Sequence, residues 1–283
     1  VAELLKKAEA ADRADIPDGM NIPEELERRE KRLAAIAAAK AEIERRAADR
    51  HTREQAAYEQ KLAERAKKEQ VTGKKAKGKH PKPPTPGPNA RDQVNLTDEE
   101  SRIMPTSGGG FEQAYNAQAG VDTASKLIVA AHVTQHPNDK QELVPTLESL
   151  ETLPKELGKV TELIADSCYF SENNVSASED RKITPYIAID RQQHNLSLGE
   201  RFKEPPPLPD DADSVARMKH RLQTPIGKKV YAQRKVTSEP VFGIIKAAMG
   251  FRTFMLRGYN AVKSEWHLVC MAYNIKKLHA LTR

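Results

Sequence analysis

Cysteine is scarce: the 283-residue chain has two, Cys168 and Cys270, and no Cys-x-x-Cys pair. That argues against a disulfide framework and against a cysteine zinc site, and it suits a reducing compartment. No apolar run reaches the length needed to span a bilayer. A glycine-rich phosphate loop, a serine-hydrolase elbow and a zinc finger are also missing, which removes three common routes to an enzymatic or nucleic-acid function. The chain starts without Met, inside a helical pattern ("VAELLKKAEA"), so an upstream portion is expected.

What the chain does have is charge. Its formal net charge is +6 and its isoelectric point is near 9.1, a balance that favours a polyanionic partner. Residues 1–72 are rich in Ala, Glu, Lys and Arg and read as a charged helical segment. Leu26, Leu33, Ile36 and Ile43 are its sparse apolar positions, enough for a thin coiled-coil seam or for a solvated helix. Residues 73–91, including "KHPKPPTPGPNA", read as a disordered basic linker that touches DNA phosphates if DNA is the partner.

From residue 92 the pattern is that of an α/β domain reaching to residue 283. "QVNLTD" and "FEQAYNAQAGVD" alternate like half-buried strands, and "KLIVAAHVT" is a continuous β-prone run. "NDKQELVPTLESLETL" spaces its leucines like a helix, with Asp139 as its expected N-cap and Pro145 near its start. "KVTELIAD" and "ITPYIAI" are further strands around a short helix capped by Ser171. "SEWHLVCMAYNIKKLHAL" is a long terminal helix in which Trp266 is expected in the core. The expected order is three antiparallel strands, then crossover strands with flanking helices.

Acidic residues stand where these elements end. Asp98 closes the first reading, Asp122 the second, and Asp166 the strand "LIAD". Side chains at the carboxyl ends of strands line the crevice of open α/β sheets. Glu239 opens a further helix. At 100° per residue, Glu239, Gly243, Lys246 and Gly250 fall on one face, while Val241, Phe242, Ile244, Ile245, Ala248 and Met249 cover the other. Carboxylates that converge repel one another unless a hard cation sits between them, and oxygen ligands suit Mg²⁺ or Mn²⁺. His132 and His136, four apart on a strand and its exit, make a poor metal pair.

This order, spacing and Glu-bearing helix resemble the DDE transposases of bacterial insertion sequences, which have a ribonuclease-H-like catalytic core. In that family the first Asp lies on the first strand, the second ends the fourth, and the Glu lies on a later helix. Asp98, Asp166 and Glu239 match in order, with Asp122 the main rival for the first. "ADSCYFSENN", "FGIIKAAMGFRTFMLRG" and "EWHLVCMAYNIKKL" resemble family stretches. Tyr231, Arg234, Glu239 and Lys246 resemble a Tyr-x2-Arg-x3-Glu-x6-Lys signature, except that four residues separate Arg234 from Glu239. Lys235 has the family interval but is not Arg, so the second role lies between the two.

The resemblance covers about residues 92–281. It implies a ribonuclease-H-like mixed sheet, with Asp98, Asp166 and Glu239 as catalytic and metal-binding residues. It also implies two Mg²⁺ or Mn²⁺ ions, and Tyr231, Arg234, Lys235 and Lys246 on DNA. The reaction implied is strand cleavage and strand transfer at double-stranded transposon ends, by a homo-oligomer on DNA, cytoplasmic and nucleoid-associated in a bacterium. Three alternatives remain: a ribonuclease-H-like nuclease, an inactive transposase fragment, and a non-catalytic DNA-binding protein.

Overall fold

The computed structural model describes residues 22–73, 78–106, 108–189, 205–209 and 211–283, with three isolated positions before them. The helical reading of the first 21 residues, three isolated positions apart, and residues 202–204 and 210 of "FKEPPPLPDDAD" lie outside the described residues. The chain divides into two compact units, Val1–Glu100 and Ser101–Arg283.

The first unit is built on α1, Ile22–Thr72, whose residues have high helix propensity. Arg45 bonds both Glu42 and Asp49, and Arg46 bonds Glu42, one turn away in each case. Led by the Arg45 hydrogen bond, these partners outweigh partial burial and hold the Glu42 carboxyl down at about 2. Leu33 and Ile36 are exposed. After α1 the chain runs back along the helix, tied by arginines at falling positions. Arg65 donates to the carbonyls of Gly78 and Lys79. Arg50 forks onto Asp92 at 2.8 and 2.9 Å and reaches the carbonyl of Gly87. Arg46 donates to the carbonyl of Glu99.

No strand forms at "QVNLTD". Asn95 accepts from the Thr97 N–H and Asp98 from the Glu100 N–H, and such local side-chain bonds compete with strand pairing. The first strand comes after this turn, so the expected placing of Asp98 on a strand is corrected.

The second unit holds three two-stranded sheets among the described residues. β1 (Arg102–Pro105) pairs antiparallel with β2 (Phe111–Ala114). β3 (Asn116–Val121) pairs antiparallel with β4 (Ile128–Thr134), with a register shift between Gly120 and Val121. β5 (Glu162–Ala165) pairs parallel with β6 (Thr184–Ile187). The stretch read as one long strand is thus split at Tyr115 into β2 and β3, which take different partners. One continuous mixed sheet is replaced by separate pairs.

Two apolar clusters hold the unit. The first joins β3 and β4 to α6 (Ser238–Gly243) and α7 (Tyr259–Leu281), through Tyr115, Val133, Val241, Val262 and Trp266. Trp266 is in the core as expected; its indole stacks on Phe242 with ring centroids 6.0 Å apart and donates to the Gln118 carbonyl. The second joins β5 and β6 to α2 (Leu143–Glu151), α3 (Glu172–Asp180) and α4 (Ser214–Gln223). α7 also covers the outer edge of β4. The Asn274 amide accepts from the Ile128 N–H and donates to the Ile128 carbonyl, both at 2.8 Å. His267 and Tyr259 reach the carbonyls of Ala131 and Val133.

Candidate active site

Asp166 follows the last residue of β5, where the chain turns outward. One carboxylate oxygen accepts from the Cys168 N–H at 2.9 Å and caps the 3-10 turn Ser167–Tyr169. Its other oxygen faces Arg234.

Arg234 is delivered by a chain of short helices. Thr224 caps α5 (Pro225–Ala232) by accepting from the Gly227 N–H, with Pro225 in the first turn. Gly227 is required there, because a Cβ would lie 1.8 Å from the Arg221 carbonyl oxygen. The 3-10 turn Gln233–Val236 comes next and aims Arg234 inward, leaving Lys235 exposed. Arg234 Nη1 lies 4.0 Å from Asp166 Oδ2, and Nη2 lies 3.4 Å from Glu239 Oε1. Of the two residues that could fill the Arg place of the signature, Arg234 is the one that faces the carboxylates, while Lys235 is exposed. Tyr231 lies alongside: burial raises the pKa of its hydroxyl, opposed by Arg234 and aided by Asp166.

Glu239 stands in the first turn of α6, with Val241 anchoring the helix in the first cluster. The helix then changes character. Ile244–Ala248 forms a π turn, and the Met249 N–H bonds back to Ile244. A π turn holds an extra residue, which rotates the residues beyond it by roughly 100° relative to a continuous α-helix. Lys246 lies inside this turn and is exposed like Glu239 and Gly243, so the single face expected for Glu239, Gly243, Lys246 and Gly250 is interrupted only beyond Ala248, before Gly250. A Cβ on Gly243 would meet nothing within 4 Å, so that glycine marks open space and not a tight packing contact. Gly250, with φ +74°, ends the segment in the left-handed region that favours glycine.

Asp122 ends β3. Its carboxylate accepts from the Ser125 N–H and hydroxyl, both at 2.6 Å. Burial pushes its pKa up, but these bonds, the Ala124 N–H and the charge of Lys126 outweigh it, and the net shift is downward. Lys126 donates to the Thr237 hydroxyl at 3.2 Å, two residues from Glu239. Asp98 lies in the first unit.

Asp139 is not the expected N-cap of α2: Glu142 stands there without a side-chain cap bond, and Asp139 lies in a 3-10 turn capped by Asn138. Asp139 instead accepts from the amides of Asn116 and Gln118, each at 2.7 Å. Gln118 in turn accepts from the Tyr169 hydroxyl, just past Asp166. Burial, then the charges of Asp139 and Asp166, drive the Tyr169 pKa up. Sequence alternation hid this network, because it assigns Gln118 to a polar outer face whereas the residue is buried. His132 and His136 both bond the buried carboxylate of Glu142, at 2.9 and 2.7 Å.

The family profile described as "Transposase DDE domain" matches residues 84–275, well over half of the chain. The chain belongs to the DDE transposase family. No curated protein and no solved structure matches it. The α/β second unit of this transposase agrees with a ribonuclease-H-like domain in its mixture of elements, though its sheets are two-stranded pieces. No helix among the described residues is long and apolar enough to cross a membrane.

DDE transposases generally work with divalent metal ions. Among the described residues, no group of three His, Cys, Asp or Glu side chains is arranged to hold one. The pair Asp166 and Glu239 does fit such an ion. Both offer carboxylate oxygens, the hard donors that Mg²⁺ and Mn²⁺ prefer. A single cationic group, the Arg234 guanidinium, already reaches both.

Proposed function

We propose that this transposase cleaves DNA strands and transfers them to target DNA at a site built on Asp166 and Glu239. The observation that carries the reading is their convergence on one cation from opposite clusters of the second unit. Two carboxylates that face one guanidinium favour positive charge between them. A divalent ion bound there would supply Lewis acidity toward the scissile phosphate and its leaving oxygen. Asp166 and Glu239 orient oxygen lone pairs into that space. Tyr231, Arg234, Lys235 and Lys246 offer hydroxyl, guanidinium and amine donors for phosphates, contacts that position DNA without reading its sequence.

In this reading Asp122 takes the place of the family's first Asp, although the described residues do not group it with Asp166 and Glu239 around a metal. Family order alone favours Asp98, but Asp98 lies in a turn before β1. Asp122 ends a strand of the same unit as Asp166 and Glu239, and its turn touches Thr237 through Lys126. Two ions, a pair of DNA ends and a homo-oligomer on DNA complete the proposal.

The test is Mn²⁺-dependent nicking and joining of a duplex carrying the sequences that flank the chain's own gene. Asp166→Asn, Glu239→Gln and Asp122→Asn each abolish both products, while Asp98→Asn leaves them. Loss in Asp98→Asn with activity retained in Asp122→Asn restores the first-strand assignment. Nicking without joining identifies a hydrolytic nuclease.

A further inference from the structure

The contacts of Arg234 are unusual for an arginine that merely joins acids. A tight guanidinium–carboxylate pair holds its atoms at about 2.7–2.9 Å, yet Arg234 stands 4.0 and 3.4 Å from its two partners. It is shared between them and clamps neither. Its Nε is buried and has no hydrogen-bond partner in the structure. The side chain is three-quarters covered, while the carboxylates it faces are about half exposed. The guanidinium thus occupies the space between two acids open to solvent, bonded to the Tyr231 hydroxyl beside it but held by no close pair to either carboxylate.

We propose that Arg234 is the resident counter-ion of the carboxylate pair, competing with the divalent cation for Asp166 and Glu239 and released by it toward a DNA phosphate. This rests on the reading of Asp166 and Glu239 as metal ligands. The charge argument is direct. With Arg234 in place, the pair offers an incoming dication one unit less of negative charge and a like charge to repel it. Once withdrawn from the carboxylates, the guanidinium sits beside the site with its Nη donors free of them, and a phosphate satisfies those donors in bidentate geometry. Metal and DNA then favour each other's binding. Thermodynamic linkage makes the effect reciprocal: the factor by which DNA tightens the metal equals that by which the metal tightens DNA.

The experiment measures Mn²⁺ dissociation constants by electron paramagnetic resonance, with and without a short duplex. It compares the parent, Arg234→Met, Arg234→Lys, Asp166→Asn and Glu239→Gln. Arg234→Met keeps most of the stem without the charge, and thermal melting checks that each variant folds. For the parent, duplex tightens Mn²⁺ by about fivefold or more, the lower end of usual couplings. Arg234→Met binds Mn²⁺ tighter by a similar factor without DNA, and duplex adds little. Arg234→Lys, still cationic, stays near the parent. Equal or weaker Mn²⁺ binding by a folded Arg234→Met overturns the proposal while leaving the metal site standing. Mn²⁺ binding unaffected by Asp166→Asn and Glu239→Gln overturns the metal-site reading and this proposal with it.

Discussion

The two units of this transposase are held by different physics. The first is a long charged helix whose return segment is tied by arginines to carbonyls and carboxylates; Leu33 and Ile36 lie open on it. The second is held by two apolar clusters in which Leu147, Ile187, Met218, Val241 and Ile245 are almost fully buried. Burial of apolar area gives large, salt-insensitive stability, whereas exposed ion pairs give a few tenths to one kcal/mol each and weaken in salt. The site stands where the two clusters of the second unit meet. Its carboxylates come from different clusters, so their separation depends on how those clusters pack.

The largest break in this comparison should come from Trp266→Ala. The residue stacks on Phe242 and meets Phe251 and Phe254 edge-on or tilted. Loss of about 3–5 kcal/mol is expected, read by calorimetry as a lower-melting transition of the second unit. The helical signal of α1 should persist beyond it. If α1 melts in the same step, the contrast between the units is wrong.

Next is Tyr169→Phe, which removes the hydroxyl from Gln118. A buried acceptor left unpaired costs about 1–3 kcal/mol. Denaturant unfolding should show it, and Tyr169→Phe added to Gln118→Leu, which already removes the acceptor, should cost less than it does alone. Additive losses would show that the two side chains do not act as a pair.

These two substitutions also mark what the sequence made legible. Trp266 in the core, the Ser171 cap, and Asp166 just beyond β5 follow from local patterns: periodicity, a cap residue, a strand ending in an acid. Gln118 did not, because alternation assigns a side chain to a face without knowing its partners. Arg234 could not be separated from Lys235, since the choice depends on the 3-10 turn that carries both. Asp98 was read at a strand end because alternating residues in "QVNLTD" imitate a strand that Asn95 and Asp98 themselves prevent. The arginine ties of α1 left no compositional trace, since several of their acceptors are backbone carbonyls. The π turn was equally invisible, and it interrupts the expected helical face before Gly250.

Arg50→Ala sharpens the comparison from the other side. Removing the fork onto Asp92 should cost about 1 kcal/mol or less. It should speed proteolysis within residues 87–92 while leaving the melting of the second unit unchanged. Unaltered cleavage would show that the return segment is held by something else.

The smallest effect is that of acid on the first unit. Glu42 is held at about 2, and Arg50 holds Asp92 below its ordinary range. Because folded values lie below unfolded ones, the stabilisation is complete above the ordinary carboxylate range of about 4. It is lost as pH falls through the folded values, down to about 2 for Glu42. Circular dichroism should follow a shallow loss of helix across that window, shallower still in high salt, where the pairs are already screened. A loss that starts near neutral pH would contradict this origin.

The Asn274 amide reproduces, at one point along β4, what a neighbouring strand would present: an acceptor for the Ile128 N–H and a donor for its carbonyl. His267 and Tyr259 continue the disguise along the same edge. An open edge is a template on which other chains can stack, the usual start of aggregation. Here the template is already read by side chains of the chain's own helix. Copies of the chain at high local concentration can therefore crowd together without that edge knitting them into one another.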